Sequence, residues 1–299
     1  MKRLGLIFLV VVLLALGWYL FMKPFDYLVR FETRGNAGTI NQTLKTWNST
    51  QENAEIKAQR DFLEIVQLIP AGDSQHEYHW KISPESDTTS SVQVFVTGKD
   101  SNFKDRAAIL FSDTAFEKDT RQRITDFATY LNDHLDKFRI RITGPAEIPA
   151  TYSACTQLRT TQIGKAFGMM HNYPLLSDVL AADSVPLNGR PYVQLLEWNR
   201  IKDSISFNFC YPIIKTDSLP LHQEIHYRER PRIKAIRAVY NGNYLTSDRA
   251  WYALLNYARK NGIETTGLPV EIFHNNPNMG GNELEWTAEI YLPIKTTND

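Results

Sequence analysis

The chain has 299 residues, of which 43% are hydrophobic and 12% aromatic, and its 33 basic and 33 acidic side chains sum to a formal charge of zero. That length and composition suit more than one packed core and exclude a largely disordered chain. The balanced charge argues against an electrostatic grip on nucleic acid, and two cysteines, Cys155 and Cys210, are too few for a disulfide framework or a zinc site. A single bridge is compatible with that count, but the preferred reading is two buried thiols.

The first element is apolar. In "MKRLGLIFLVVVLLALGWYLFMK", Lys2 and Arg3 precede an uncharged run from Leu4 to Met22, which Lys23 closes. The run is about as long as a helix needs to cross a hydrocarbon core. Basic residues ahead of it favour an N-terminus left in the cytoplasm, and Trp18 and Tyr19 suit an interfacial aromatic belt. A cleaved signal peptide, with Ala15 and Gly17 as its small-residue site, is the alternative. Because hydrophobicity continues past that site, the expectation is a membrane anchor over residues 1–25, with membrane contact through residues 4–22. The globular part is then exported, to the periplasm if the cell is a Gram-negative bacterium.

Residues 26–142 form the next block. "DYLVRFET" reads as a strand, and "GNAGTINQTLKTW" as a short helix with Ile40, Leu44 and Trp47 on one side. Strand-like runs follow in "AEIKAQRDFLEIVQLI", "HEYHWKIS", "SSVQVFVTG" and "AAILF", separated by turn-rich pieces such as "PAGDS". "SDTAFEKDTRQRITDFATYLNDHLDKF" is then a long amphipathic helix, with Ser112 or Asp113 as its cap and Phe116, Ile124, Phe127, Leu131 and Leu135 toward the core. This order, with the stretches "VRFETRGNAGTINQTLKTW" and "HEYHWKIS", resembles the START-like (SRPBCC, polyketide-cyclase) superfamily. The resemblance implies an antiparallel sheet gripping a long helix.

Residues 143–299 contain an internal repeat, about 145–216 and 230–295. Gly189-Arg190-Pro191 answers Gly267-Leu268-Pro269, and "FCYPI" answers "IYLPI". Each copy reads strand, helix, strands, with "SLPLHQEIHYRERP" as linker. One such unit buries its sheet only by pairing with its twin. The expected class is α+β throughout. The stretch "AVYNGNYLTSDRAWYALLNYARKNGIETTGLPVEIFHNNP" and the closing "TAEIYLPI" resemble the gyrase-inhibitor-like small-molecule-binding domain, also called the AraC-type effector-binding domain. That family implies a concave surface between two repeats, where a last-strand carboxylate meets an apolar or cationic ligand.

Carried residue by residue, that carboxylate is Glu289, for which the diverged first copy has Asn208. The closing stretch "GNELEWTAEIYLPIK" reads as one alternating strand. Leu284, Trp286, Ala288, Ile290 and Leu292 face the core, and Glu289 and Tyr291 face the other way. Tyr240, Tyr244, Phe273 and Trp198 complete the expected ligand set by the resemblance. A desolvated carboxylate needs a cation or hydrogen bonds, and aromatic faces attract cations. The first functional reading is therefore a membrane-anchored protein that binds a hydrophobic or cationic organic compound between the repeats. A hydrolase using Glu289 with Tyr240 or Tyr244 for acid–base work is the second, and an interaction module with a vestigial cavity the third.

Other features point elsewhere. His76 and His79 lie three apart on a strand and face opposite sides, so they do not suggest a metal site. "GMMH" at 168–171 reads as helix core and helix end. "MGG" at 279–281 is a turn, without the helix start a phosphate loop needs. No cofactor, metal or nucleic-acid partner is expected, and no helix-turn-helix segment is found.

Overall fold

The computed structural model describes residues 7–12, 14, 25–72, 74–86, 88–98 and 114–295. Most of the Leu4–Met22 run lies outside the described residues, as do the strand expected at 107–111 and the caps expected at Ser112 and Asp113. Among the described residues no helix is long and apolar enough to cross a membrane. The chain is mixed α+β, with two antiparallel sheets in two compact units, Met1–Asp133 and His134–Asp299.

In the N-terminal unit five strands form one sheet: β1 (Tyr27–Arg34), β2 (Glu55–Arg60), β3 (Glu64–Ala71), β4 (Ser74–Pro84) and β5 (Thr89–Gly98), in the order β1-β5-β4-β3-β2. Two helices accompany it, α1 (Ala37–Asn48) and α2 (Ala115–Leu135). The expected single run "AEIKAQRDFLEIVQLI" is a hairpin of β2 and β3, because Asp61 takes a positive φ of 49° between them. Alternation sorts β5 cleanly, with Val92, Val94 and Val96 buried. The Asn36 side chain caps α1 by accepting from the Thr39 amide at 2.9 Å. At the start of α2 the Glu117 amide donates to Thr114 Oγ1 and the Thr114 amide to Glu117 Oε2, at 3.2 and 3.3 Å, a reciprocal cap one or two residues beyond the expected one. Phe127 of α2 meets Trp47 and Trp80 edge-on, with ring centroids 5.5 and 4.9 Å away. His76 lies edge-on to Phe116, whereas His79 turns toward Phe95 and Glu64, so the two histidines do not converge.

The C-terminal unit holds one eight-stranded sheet, whose strands in spatial order are β10 (His226–Arg230), β7 (Thr151–Thr161), β9 (Ser204–Pro212), β8 (Tyr192–Asn199), β12 (Val270–Phe273), β13 (Thr287–Pro293), β11 (Ile233–Gly242) and β6 (Phe138–Ile148). The first copy supplies β7, α3 (Lys165–Ala182), β8 and β9. The second supplies β11, α4 (Arg249–Lys260), β12 and β13. The copies thus run β7-β9-β8 and β12-β13-β11, joined where β8 pairs with β12. Matching bridges, Leu187 to Ile213 and Thr265 to Ile294, close each copy at the same place. Gly267 takes φ +72° at the entry to β12, a conformation that side chains with a Cβ rarely adopt.

Four expectations are corrected here. The C-terminal unit begins at His134 rather than near residue 143, because β6 (Phe138–Ile148) pairs along β11. The expected linker contains a strand of its own, β10 (His226–Arg230), paired with β7. The closing strand starts at Thr287, because Asn282 caps a 3-10 turn at Glu283–Glu285 by accepting from the Leu284 amide. Cys155 and Cys210 stand opposite each other on β7 and β9 and form a disulfide, not two thiols. The inward alternation of β13 is as expected: Ala288, Ile290 and Leu292 are fully buried in the core.

Candidate functional site

Both helices of the C-terminal unit pack with the inward rows of the sheet, Phe207 and Phe209 of β9, Phe273 of β12 and Ile290 of β13 among them. Between the copies this layer leaves a cavity of about 160 Å³. The first copy lines it with Ala166, Phe167, Met169, Met170 and Tyr173 of α3 and with Phe209. The second lines it with Tyr244, Leu245, Phe273, Trp286 and the turn that carries Asn275 to Asn278. Phe167 and Met170 are 62% and 50% exposed at its margin, an apolar rim rather than a sealed core. An apolar cavity of roughly 150 Å³ accepts a benzene-sized ring.

Asparagines shape one wall. The Asn275 side chain accepts from the Thr287 amide at 2.8 Å, and its own amide donates to the Tyr244 hydroxyl at 3.1 Å. That hydroxyl donates to the Thr287 carbonyl at 2.7 Å. Burial pushes the Tyr244 pKa up, so the ring stays a neutral, fixed wall. Tyr244 also packs on Phe273 and Trp286, with centroids 4.8 and 5.8 Å apart.

Beside this wall lies an ion pair with no exposed side-chain surface. Lys165 Nζ is 2.6 Å from Oε1 and Oε2 of Glu271, with both side chains 0% exposed. Lys165 also donates to Ser247 Oγ at 2.6 Å, and Ser247 Oγ lies 2.9 Å from Glu271 Oε2. Trp251 Nε1 donates to Glu271 Oε1, and the ammonium sits 4.7 Å from the centroid of the same Trp251 ring. Lys165 immediately precedes Ala166 of the cavity wall, and Glu271 lies two residues before Phe273 on the same face of β12.

A second polar seam continues between the copies. Trp198 Nε1 donates to Gln162 Oε1 at 2.8 Å. Gln162 Nε2 in turn donates to Asp248 Oδ2 at 2.9 Å and to the Tyr252 hydroxyl at 2.7 Å. Asp248 pairs with Arg249 at 2.8 Å. Lys165 and Arg249 are the first residues of α3 and α4, so each copy buries one cation at the start of its helix.

The expected ligand set is split between the two faces of the sheet. Tyr244 and Phe273 line the cavity. Tyr240 is on the same face, but its hydroxyl donates within its own copy, to the Asn243 carbonyl at 2.8 Å. Trp198 belongs to the polar seam. Glu289 and Tyr291 occupy the opposite face, as does Asn208, because they alternate with residues that point toward the helices. There Arg237 Nη1 lies 3.3 Å from Glu289 Oε1, the Tyr291 hydroxyl donates to Oε2 at 2.8 Å, and His274 Nε2 is 3.8 Å away. The charge of Glu289 is thus answered by Arg237, away from the cavity, and the sheet separates Glu289 from Tyr240 and Tyr244 as an acid–base pair. "GMMH" lies within α3, where Met169 and Met170 face the cavity rather than end the helix. Sequence reasoning missed Glu271 and Lys165. The available signal was the other copy, which has Val193 where this one has Glu271, directly paired across the β8–β12 junction.

Residues 196–295 match the model of the GyrI-like small molecule binding domain. The matched segment begins within β8, so β7 and α3 of the first copy precede it. Among solved structures, the EcmrR C-terminal domain aligns with a TM-score of 0.45 and 17% identity, over 54% of this chain and 99% of that one. SAV2435 bound to tetraphenylphosphonium aligns with a TM-score of 0.36 and 10% identity, over 53% and 93%. A hydrolase from Listeria innocua aligns with a TM-score of 0.35 and 9% identity, over 51% and 92%. A search of curated proteins gave no match.

Proposed function

We propose that this protein binds a small, largely apolar organic molecule between the two copies of its C-terminal unit, and that the Leu4–Met22 run holds it at a membrane. The observation that carries the reading is the cavity itself. It is small, apolar and rimmed by exposed Phe167 and Met170, and residues of both copies build it. Concave apolar sites with a few fixed polar groups are where proteins take small ligands, and the GyrI-like match over residues 196–295 points the same way. Membrane attachment rests on the length and charge flanks of the run alone.

Binding is tested by calorimetric titration of the full chain with ethylbenzene, a one-ring probe of suitable size. Met169→Trp pushes an indole into the cavity from α3. It should weaken ethylbenzene at least tenfold while the chain still unfolds cooperatively. Equal affinity in a folded Met169→Trp protein would place the ligand elsewhere.

A further inference from the structure

Glu271 lies behind the cavity lining, two residues before Phe273 on the same face of β12, and Lys165, Ser247 and Trp251 surround it. Lys165 spans both of its oxygens, Ser247 stands at one and Trp251 at the other. A fully buried ion pair has to be matched almost completely to persist. The position of Lys165 makes the match more pointed. It is the first residue of α3, where the helix dipole disfavours a cation, and the Gly164 before it makes no side-chain cap. Nothing local to α3 rewards a positive charge there; Glu271 and the Trp251 ring do.

We propose that Lys165 is the resident counter-ion of this site: its ammonium occupies the place where an organic cation would meet Glu271, so the cavity selects uncharged ligands over cationic ones. The inference rests on the cavity being the binding site proposed above. It narrows the ligand class to neutral, flat or apolar compounds. It also identifies a latent cation site that one substitution opens. The pair has no exposed side-chain surface, so an incoming cation finds no free carboxylate oxygen. In Lys165→Ala the ammonium and its stem are gone, and the carboxylate with Ser247 and the Trp251 ring is left to receive a replacement.

Ethylbenzene and benzylammonium test this, because they share a shape and differ in charge. Both are titrated against the full chain and against Lys165→Ala at neutral pH. The wild-type chain should hold ethylbenzene at least tenfold more tightly than benzylammonium. In Lys165→Ala the preference should invert, with benzylammonium bound at least tenfold more tightly than by wild type. If Lys165→Ala folds poorly, benzylammonium should raise its melting temperature and ethylbenzene should not match that rise. The double variant Lys165→Met with Glu271→Val has no carboxylate to offer and should show no gain for benzylammonium. A wild-type chain that binds both probes equally overturns the inference and leaves the binding site intact. So does a Lys165→Ala chain whose preference is unchanged. A wild-type chain that binds neither probe removes the cavity reading and this inference with it.

Discussion

Glu271 and Glu289 show how two carboxylates on neighbouring strands are told apart. Both interrupt an apolar alternation, and in "LPVEIF" and "TAEIYLP" an acid reads equally well as the solvated side of a strand. The pleat decides: Glu271 shares its face with Phe273 and the helices, whereas Glu289 shares its face with Tyr291 and Arg237. The alternation of its own strand does not show this for Glu271, because its cation is Lys165, a partner 106 residues away. The duplication does expose it, since the matched position holds Val193, the natural choice for a buried strand. A prediction follows for stability. Glu271→Val leaves the Lys165 ammonium buried without its carboxylate, which typically costs about 3–5 kcal/mol. Removing the charge at both ends, Lys165→Met with Glu271→Val, should recover most of that loss, because an apolar pair of similar volume is often neutral or stabilising. Urea unfolding of the three chains checks it. A single variant as stable as wild type, or a double variant no better than the single one, would show that the pair is not closely coupled.

At the scale of elements, the duplication was legible because its marks are local. Gly-x-Pro entries and "x-Pro-Ile" exits recur in each copy, and each has a backbone reason: a glycine φ at the turn and a bridge after the proline. The pairing of β7 with β9 was not legible, since α3 and β8 intervene and register is a long-range property. That is why Cys155 and Cys210 read as thiols. In the sheet they are direct partners, with Cα atoms 4.1 Å apart. The bridge closes a loop with a sequence separation of 55, which contains α3 and β8, most of the first copy's share of the cavity. Chain-entropy arguments put the stabilisation from a loop of that length at about 4 kcal/mol, with measured values often near 2–4 kcal/mol. Cys155→Ala with Cys210→Ala should therefore lower the urea midpoint, and a phosphine reductant should lower it in wild type but not in the variant. A midpoint that does not move in either experiment would mean that the unfolded chain gains little freedom when the bridge is absent.

At the scale of the whole molecule, the two units have separate sheets and separate cores, so the location of the chain is a question neither core answers. Two independent features bear on it. One is the uncharged Leu4–Met22 run behind Lys2 and Arg3, long enough to span a bilayer and flanked as an N-in segment would be. The other is the Cys155–Cys210 bridge, since such bonds persist where the surroundings are oxidising and are rare in the reducing cytosol. In the reading proposed here the first feature is the membrane anchor, and the second fits a C-terminal unit on the far side of it. The expected topology is a single span with residues 26–299 exported. An alkaline phosphatase fused after Asp299, active only outside the cytoplasm, should be active. The fusion should stay with the membrane fraction after a high-salt wash, because an apolar span is not held by charge. A fusion that is silent here but active as a cytoplasmic reporter would overturn export. It would also leave the disulfide without a compartment to maintain it. A soluble, exported chain that begins at Trp18 would keep export but replace the anchor with a cleaved leader.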